Sequence, residues 1–242
     1  MNQEIRNSHG ERLDYTWHEG DASSNKVVVI GHGVTGNKDR PFVVALAEGL
    51  AAAGINALRF SFAGNGGSEG RFVDCHVTKE SGDLKAVLDA LDGKHIAYAG
   101  HSMGGAVGVL TASEDSRIQH LISLAGMVDT KKFAETEFGD VTPDQGFMWD
   151  DEDCPLSQAY MDDLRTLNNL SDRAAKIHVP WFLVHGTEDD VVLIDDSKNI
   201  FEKANEPKEL FIIEGANHVF ADDALQPMIQ RVGDWVKEQF QS

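Results

Sequence analysis

Apolar and polar positions alternate in blocks along this chain, and the blocks predict strands followed by helices. A continuous apolar run at 27–30 predicts a strand covered on both faces, because neither side of such a strand is polar. Further strands are predicted at 55–60, 95–99, 121–125, 181–184 and 210–213. Apolar residues at helical spacing predict helices at 42–53, 83–91 and 224–240. The alternating segment 5–17 predicts an antiparallel hairpin at the sheet edge. This succession favours an α/β fold with a mainly parallel sheet and helices on both faces.

The interval 127–173 interrupts this succession, because it contains no clean strand pattern. It holds an acidic run at 150–153 and aromatic residues that include Phe133, Phe138, Phe147 and Trp149. Long insertions in compact domains are often functional lids, and aromatic side chains are hard to explain on a bare loop. We therefore expect a single domain, 1–242, with a cap insertion at about 127–173, against the alternative of an ordinary surface loop. Phe147 and Trp149 are candidates for binding substrate or for holding the cap down.

The charge balance argues against one class of partner. The 242 residues include 40 acidic and 21 basic side chains, which gives a formal net charge of −19. Nucleic acid is not expected as a partner, since phosphate backbones require clusters of Lys and Arg. A self-repelling soluble surface explains the acidity most simply, and adaptation to salt or a preference for neutral or cationic substrates stays open. No apolar run approaches the roughly 20 residues of a membrane span, so no membrane association is expected.

The N-terminus, the cysteines and the histidines favour a cytoplasmic protein without a metal. The first residues are polar and lack a secretory hydrophobic region, so we expect Cys75 and Cys154 to be reduced thiols. Neither cysteine belongs to a C-x-x-C pair and the ten histidines are scattered. We therefore expect no metal site.

The segment 100–104 carries the strongest chemical signal. It reads Gly-His-Ser-Met-Gly, a G-x-S-x-G pattern, between the strand predicted at 95–99 and an apolar helix start at 106–110. A strand-to-helix turn this tight requires small neighbours and lifts the serine hydroxyl clear of the sheet. Ser102 is therefore a candidate nucleophile that needs a base, an orienting acid and oxyanion donors. The alternative is a structural serine among small residues that pack at a helix start.

Candidate partners for Ser102 follow two later strands. The loop 185–192 carries several acidic residues, and the loop 214–220 carries His218. Ligands of doubly wound sheets collect at the carboxyl ends of the strands, so both loops are expected at the same edge as Ser102. The chain order serine, acid, histidine is one of the known orders of catalytic triads. His185 ends a predicted strand and is interpreted as a core histidine.

An acyl-transfer intermediate also needs two backbone N–H donors for its oxyanion. Met103 is predicted to supply one, because it directly follows the candidate nucleophile. Val34 is predicted to supply the other from the loop 32–36, which follows the strand at 27–30. The glycines of that loop allow its backbone to approach a substrate closely.

Two longer segments carry a family resemblance. Residues 32–38, His-Gly-Val-Thr-Gly-Asn-Lys, and residues 58–70 resemble the small intracellular esterases of the cinnamoyl/feruloyl esterase type and the related serine-aminopeptidase-like hydrolases. The chain resembles an α/β-hydrolase over essentially its whole length. The resemblance implies the α/β-hydrolase fold, with a mainly parallel eight-stranded sheet and a small cap that matches 127–173.

The resemblance also implies individual roles. Ser102 corresponds to the nucleophile, Asp189 to the acid and His218 to the base, and Asp190 is the competing choice for the acid. Relatives usually carry Asp at the position of Ser61 and His at the position of Asn65. These two departures lie outside the triad and put the structure of one loop and the substrate preference in question.

The sequence therefore predicts a serine carboxylic-ester hydrolase that acts through an acyl-enzyme on small acyl or aryl esters. It is expected to need no cofactor, and its expected partner is a small-molecule ester. One alternative is an aminopeptidase or amidase on the same fold, in which the acidic run 150–153 binds a free amino terminus. Another alternative is a ligand-binding protein that keeps the triad without turnover. The oligomeric state stays open, with a homodimer as one candidate.

Overall fold

Strands and helices alternate along the chain in the computed structural model, which describes residues 3–241. The strands are β1 (Ile5–Arg6), β2 (Arg12–Leu13), β3 (Tyr15–His18), β4 (Lys26–Gly31), β5 (Asn56–Phe60), β6 (His95–His101), β7 (Ile118–Leu124), β8 (Trp181–Gly186) and β9 (Lys208–Ile213). The α-helices are α1 (Pro41–Ala52), α2 (Val77–Ala90), α3 (Met103–Ala112), α4 (Thr130–Phe138), α5 (Gln158–Leu167), α6 (Ile194–Lys203) and α7 (Leu225–Gln241). Short 3₁₀ segments lie at Phe72–Asp74, Met148–Asp150, Leu170–Lys176 and Asp222–Ala224.

Within residues 3–241, seven strands form the main sheet in the order β3-β5-β4-β6-β7-β8-β9. Neighbouring strands are parallel, except that β3 runs antiparallel to β5 at one edge. The predicted α/β architecture with a mainly parallel sheet is confirmed. Because the strands are parallel, the C-terminal ends of β4, β6, β8 and β9 meet at one edge, where ligands bind in such folds.

The predicted count of eight strands is wrong by one. In the described part of the chain, β1 and β2 pair only with each other, Ile5 opposite Leu13, in a separate two-stranded sheet. The chain leaves this pairing at Asp14, whose N–H donates to Ser68 Oγ at 2.8 Å before β3 joins the main sheet. Ile5 and Leu13 are buried, so the short hairpin covers the core and does not extend the sheet.

Strand β4 shows how both faces of the sheet are covered. Val27 and Val29 belong to the hydrophobic core on the side of α2 and α3, while Val28 and Ile30 belong to the core on the side of α1 and α7. All four side chains are fully buried. Alternate residues of a strand point to opposite faces, so burial on both sides explains the unbroken apolar run at 27–30.

Helix α2 is longer than the apolar spacing predicts, because it begins at Val77 and not at 83. The side chain of His76 caps it by accepting a hydrogen bond from the N–H of Lys79 at 3.2 Å. Its first turns contain Glu80 and Asp83, which are buried although they are acidic. These buried polar positions conceal the helical period from a hydrophobicity pattern.

The insertion between β7 and β8 forms the helices α4 and α5 and two 3₁₀ segments. No strand lies there among the described residues, and only an isolated bridge joins Phe147 to Pro155. Phe138 of α4 packs against Tyr160 of α5, with ring centroids 6.2 Å apart. The Tyr160 hydroxyl lies 3.6 Å from the sulfur of Met103, so the insertion contacts the start of α3 directly.

Candidate functional site

The chain turns sharply at Ser102, between the end of β6 and the start of α3. Ser102 has φ 53° and ψ −117°, a region that non-glycine residues rarely adopt. A Cβ on Gly100 would collide with the carbonyl oxygen of Gly104, and one on Gly104 would lie 2.6 Å from the carbonyl oxygen of His32. These close backbone approaches explain both glycines of the motif.

Ser102 lies on the wall of a cavity of about 730 Å³. The same cavity is lined by residues 32–36 after β4, 40–42 at the start of α1, Val191 after β8, 218–222 after β9 and Trp149 of the insertion. Concave sites of roughly 300–1,000 Å³ with a few polar groups are typical of small-molecule binding. The loops of four parallel strands, β4, β6, β8 and β9, therefore meet around the candidate nucleophile.

Asp189 and His218 are hydrogen-bonded to each other. Nδ1–H of His218 donates to Asp189 Oδ2 at 2.8 Å, since a carboxylate can only accept. The other oxygen of Asp189 accepts from the backbone N–H groups of Val191 at 3.0 Å and Val192 at 2.9 Å. Asp189 is buried, whereas Asp190 is exposed. The structure thus brings Asp189, and not Asp190, to the histidine.

Asp189 is ionised despite its burial. Burial by itself raises the pKa of a carboxyl group, but hydrogen bonds from His185 and His218, together with the backbone N–H of Val192, lower the pKa of Asp189 far below its usual range. A negative charge is therefore fixed beside Nδ1 of His218. That charge keeps the proton on Nδ1 and leaves Nε2 free to act as a base.

His185 is a second histidine on Asp189 that the sequence analysis assigned to the core. Its Nε2 lies 2.8 Å from the carbonyl oxygen of Val192 and 3.2 Å from Asp189 Oδ2. Both partners only accept, so this nitrogen carries the proton. Nδ1 accepts from the hydroxyl of Ser197 at 2.8 Å. The available signal was a histidine four residues before the acid, at the end of the preceding strand.

His101 holds the backbone of His218. Its Nε2–H donates to the carbonyl oxygen of His218 at 2.8 Å, and the two rings lie 4.7 Å apart between centroids. Burial and the neighbouring His218 lower the pKa of His101 to about 3. His101 is therefore neutral and fixes the position of the loop after β9.

The loop after β4 approaches Ser102 closely. A Cβ on Gly33 would lie 3.0 Å from Ser102 Cβ, and Val34 lines the cavity. Met103 is the first residue of α3, so its N–H has no acceptor within the helix. Among residues 3–241, no hydrogen bond uses the N–H of Val34 or Met103. Two unused backbone donors therefore flank the serine.

The side chains of His218 and Asp189 are hydrogen-bonded, whereas the relation of Ser102 to His218 is that of neighbours on one cavity wall. Both residues line the same cavity, but within the described residues no hydrogen bond joins their side chains. Catalytic hydrogen bonds are often long without substrate and tighten in the reactive complex. The arrangement supplies a serine, an oriented imidazole and a fixed carboxylate in the order that nucleophilic catalysis requires.

The two aromatic candidates of the insertion differ in position. Trp149 lines the cavity, and its Nε1–H donates to Glu137 Oε2 at 2.9 Å. Its ring packs against Phe138, with centroids 5.0 Å apart. Phe147 is 39% exposed and does not belong to the described lining of the cavity. Only Trp149 is therefore placed to contact a ligand.

Ser61 and Asn65, the two departures from the family pattern, also lie outside the lining of the cavity. Ser61 is fully buried, and its Oγ accepts from the N–H of Lys38 at 3.0 Å. The side chain of Asn65 donates to the carbonyl oxygen of Ala63 at 3.3 Å. Both residues stabilise the turn after β5.

Two further properties follow from the described residues. Within 3–241, no group of three or more His, Cys, Asp or Glu side chains is arranged to hold a metal ion. In the same range, no helix combines the length and the apolar character needed to span a membrane.

Comparison with protein families gives two matches. The model of the alpha/beta hydrolase fold matches residues 26–167, and the model of the serine aminopeptidase family S33 matches residues 153–224. Two uncharacterized proteins of Mycobacterium tuberculosis are 28% identical over 202 residues, which cover 81% of this chain. The chain spans 63% of the length of these curated relatives.

Solved structures with the same fold include several esterases. Est1E from Butyrivibrio proteoclasticus with bound ferulic acid has a TM-score of 0.88 and 26% identity, with 100% of both chains covered. The esterase Pf2001 of Pyrococcus furiosus has a TM-score of 0.74 and 22% identity, covering 98% of this chain and 91% of that one. Mouse alpha/beta hydrolase domain-containing protein 10 has a TM-score of 0.79 and 18% identity, covering 98% of each chain.

Proposed function

Since the chain belongs to the α/β-hydrolase family, we propose that it is a serine hydrolase that cleaves carboxylic esters of small acyl or aryl groups. The observation that carries this proposal is the hydrogen bond from His218 to the ionised Asp189, beside a cavity that also contains Ser102. Esterases among the similar structures support the ester as the bond that is cleaved.

The reaction has two halves. Nε2 of His218 takes the proton of Ser102 as Oγ attacks the acyl carbonyl, and the imidazolium then gives that proton to the departing alcohol. Water enters, His218 takes its proton, and the hydroxide attacks the acyl-enzyme and releases the acid. Asp189 stays ionised throughout and stabilises the imidazolium.

The N–H groups of Val34 and Met103 are proposed to bind the oxyanion. Both are unused by other acceptors, and the partial positive charge at the N-terminus of α3 favours a negative oxygen there. One such donor commonly contributes about 2.7–4 kcal/mol of barrier reduction. Trp149 is proposed to contact the substrate from the insertion, because it alone of the two aromatic candidates lines the cavity.

The test compares wild type with Ser102→Ala on 4-nitrophenyl acetate. We expect kcat to fall by at least about 10⁴-fold, because the oxyanion donors and the cavity remain while the nucleophile is gone. Ser113→Ala, a second serine-to-alanine change at the end of α3, serves as the matched control and should retain full activity. Undiminished turnover by a folded Ser102→Ala variant would refute the proposal.

An aminopeptidase is the second candidate, because the serine aminopeptidase model matches residues 153–224. That activity requires a carboxylate to bind the free amino terminus, and Asp222 on the cavity wall is one such group. Aminoacyl-4-nitroanilides compared with aryl esters of similar size distinguish the two. A higher kcat/KM for the anilides would favour the aminopeptidase.

A further inference from the structure

Among residues 3–241, Arg40 is the one arginine without an acidic partner in the same range. All nine arginines lie within residues 3–241, and eight of them have a carboxylate oxygen within 4.0 Å: Arg6, Arg12, Arg59, Arg71, Arg117, Arg165, Arg173 and Arg231. Arg40 is exposed, and its one hydrogen bond among those residues goes from Nη2 to the carbonyl oxygen of Thr35 at 2.8 Å. In a chain with a net charge of −19, an unpaired guanidinium needs a reason.

The position of Arg40 supplies that reason. Arg40 lines the cavity that contains Ser102 and His218. Its charge acts on two neighbouring segments: after burial it is a further cause that lowers the pKa of His32, to about 4, and it opposes the rise that burial produces in the pKa of Cys154 in the insertion. The guanidinium is therefore near both the loop after β4 and the insertion.

The start of α1 adds to the positive potential at this place. Arg40 immediately precedes the helix, Pro41 is its first residue, and Phe42 also lines the cavity. The first turn of α1 has no acidic side chain and no side-chain cap. The partial positive charge of a helix N-terminus is thus uncompensated next to the guanidinium.

Asp222 is a carboxylate that lines the same cavity. It lines the cavity from the loop after β9, it is exposed, and it does not come within ion-pair distance of Arg40. The two opposite charges face the same space without neutralising each other. A guanidinium with free donors binds a carboxylate through two parallel hydrogen bonds, a geometry that no neutral ester group offers.

We propose that Arg40 is a specificity-determining residue that binds a carboxylate on the substrate, so that the preferred esters are anionic. This proposal rests on the ester hydrolase proposed above and names its substrate class. The carboxylate lies on a part of the substrate other than the ester that Ser102 attacks. It belongs either to a dicarboxylic acyl group or to a leaving alcohol that carries a carboxylate.

The first test uses two esters of equal chain length, mono(4-nitrophenyl) adipate and 4-nitrophenyl hexanoate. We expect wild type to favour the adipate and Arg40→Gln to lower the adipate-to-hexanoate ratio of kcat/KM about tenfold, as expected for loss of a charge-assisted contact. Arg165→Gln removes the same charge from α5, far from the cavity lining, and should leave the ratio unchanged. Asp222→Asn should raise the adipate-to-hexanoate ratio of kcat/KM, because it removes a negative charge from the cavity wall.

A second pair places the carboxylate on the leaving group: 3-acetoxybenzoate against the neutral 3-acetoxybenzamide. A fall in the anionic-to-neutral ratio for this pair alone assigns the carboxylate to the alcohol side, and a fall for the adipate pair alone assigns it to the acyl side. Equal ratios in wild type and Arg40→Gln for both pairs overturn the proposal.

A binding measurement separates this proposal from the ester hydrolysis on which it rests. Titration calorimetry compares adipate and 3-hydroxybenzoate binding to Ser102→Ala and to the double variant Ser102→Ala/Arg40→Gln, neither of which needs to turn over. Weaker binding by the double variant supports the role of Arg40 even where wild type hydrolyses no ester, a result that would overturn the proposed activity alone. Equal or undetectable binding by both variants overturns the role of Arg40.

Discussion

Two buried carboxyl groups of this protein, Asp189 and Glu80, have opposite environments. The oxygens of Asp189 accept hydrogen bonds from two histidines and two backbone N–H groups. Both oxygens of Glu80 are buried and have no hydrogen-bond partner among residues 3–241. Donors lower the pKa of Asp189 below its usual range, whereas burial and the nearby Asp83 raise the pKa of Glu80 well above it. Burial alone therefore does not decide the charge of a carboxyl group; the donors around it do.

The comparison also separates function from stability. Asp189 is charged and hydrogen-bonded to His218, while the raised pKa of Glu80 favours its neutral form and Glu80 does not line the cavity that contains Ser102. Glu80 on α2 lies near Asp83 and Asp163, which disfavour its ionisation, and near Lys79, which favours it. Ionising a fully buried carboxyl group that has no hydrogen-bond donors is unfavourable, so it lowers the free energy of unfolding at pH values where the unfolded chain is ionised.

The largest effect is expected from Asp189→Asn, which removes the carboxylate that accepts from His218. The amide presents an N–H group to His218, which reverses the tautomer and places the proton on Nε2, so that the base is lost. We expect kcat for 4-nitrophenyl acetate to fall by about 10⁴-fold, with far-UV circular dichroism unchanged. Asp190→Asn is the matched control and should keep wild-type kcat, because Asp190 is exposed and contacts no catalytic candidate.

Glu80→Gln should remove the contribution of Glu80 to the pH dependence of the free energy of unfolding. The pKa of Glu80 is raised in the folded state, so the unfolded chain ionises first as pH rises, and the free energy of unfolding falls above the ordinary pKa of a glutamate. We expect the variant to lack this loss between about pH 5 and pH 8, as measured by urea unfolding.

Glu202→Gln on α6 is the control for this measurement, since Glu202 is exposed. It should retain the wild-type slope of unfolding free energy against pH. A wild-type slope in Glu80→Gln as well would mean that Glu80 ionises in the folded protein.

His185→Phe weakens Asp189 without removing it. The carboxylate loses one of its two imidazole donors, its pKa rises, and His218 is held less firmly; we expect kcat to fall about tenfold with KM unchanged. His185→Gln keeps an amide donor and should recover part of kcat. A rise in KM with unchanged kcat would instead assign His185 to packing around the cavity.

Ser197→Ala tests the outermost contact of this network. The hydroxyl donates to Nδ1 of His185 at 2.8 Å, so its loss leaves one buried acceptor unpaired and costs about 1 kcal/mol. We expect Tm to fall by about 2–4 °C and kcat by no more than about threefold. An effect on kcat as large as that of His185→Phe would show that the hydroxyl alone orients the ring.

Much of the fold could be predicted because its strands are covered on both faces. The unbroken apolar runs at 27–30 and 181–184 lie in β4 and β8. The helix predicted at 42–53 is α1, which spans Pro41–Ala52. The start of α2 could not be predicted in this way, since Glu80 and Asp83 occupy buried positions that hydrophobicity marks as exposed.

The order of the loops along the chain predicted which segments of the candidate site lie together, but not the detailed contacts between their side chains. The order of the loops indicated that an acid of the loop 185–192 lies close to His218, and the family resemblance implied Asp189 as that acid. The structure places Asp189 and His218 in hydrogen-bonding contact; their catalytic roles stay predictions. The contact of His185 with Asp189 depends on how the backbone folds between Gly186 and Val192, which no spacing rule supplies. The different positions of Trp149 and Phe147 depend on the turn at Met148–Asp150, and no spacing rule supplies the backbone path of that turn either.

The position of β9 at the edge of the sheet has a consequence for how this protein fails. The loop after β9 carries His218, and among the described strands β9 pairs only with β8. Edge elements open at lower free energy than the centre of a sheet, and such an opening withdraws the imidazole while the strands β4 to β8 stay paired. For a hydrolase that depends on His218, we therefore expect activity to be lost before the rest of the sheet unfolds, so that residual activity reports on the pairing of β9 with β8.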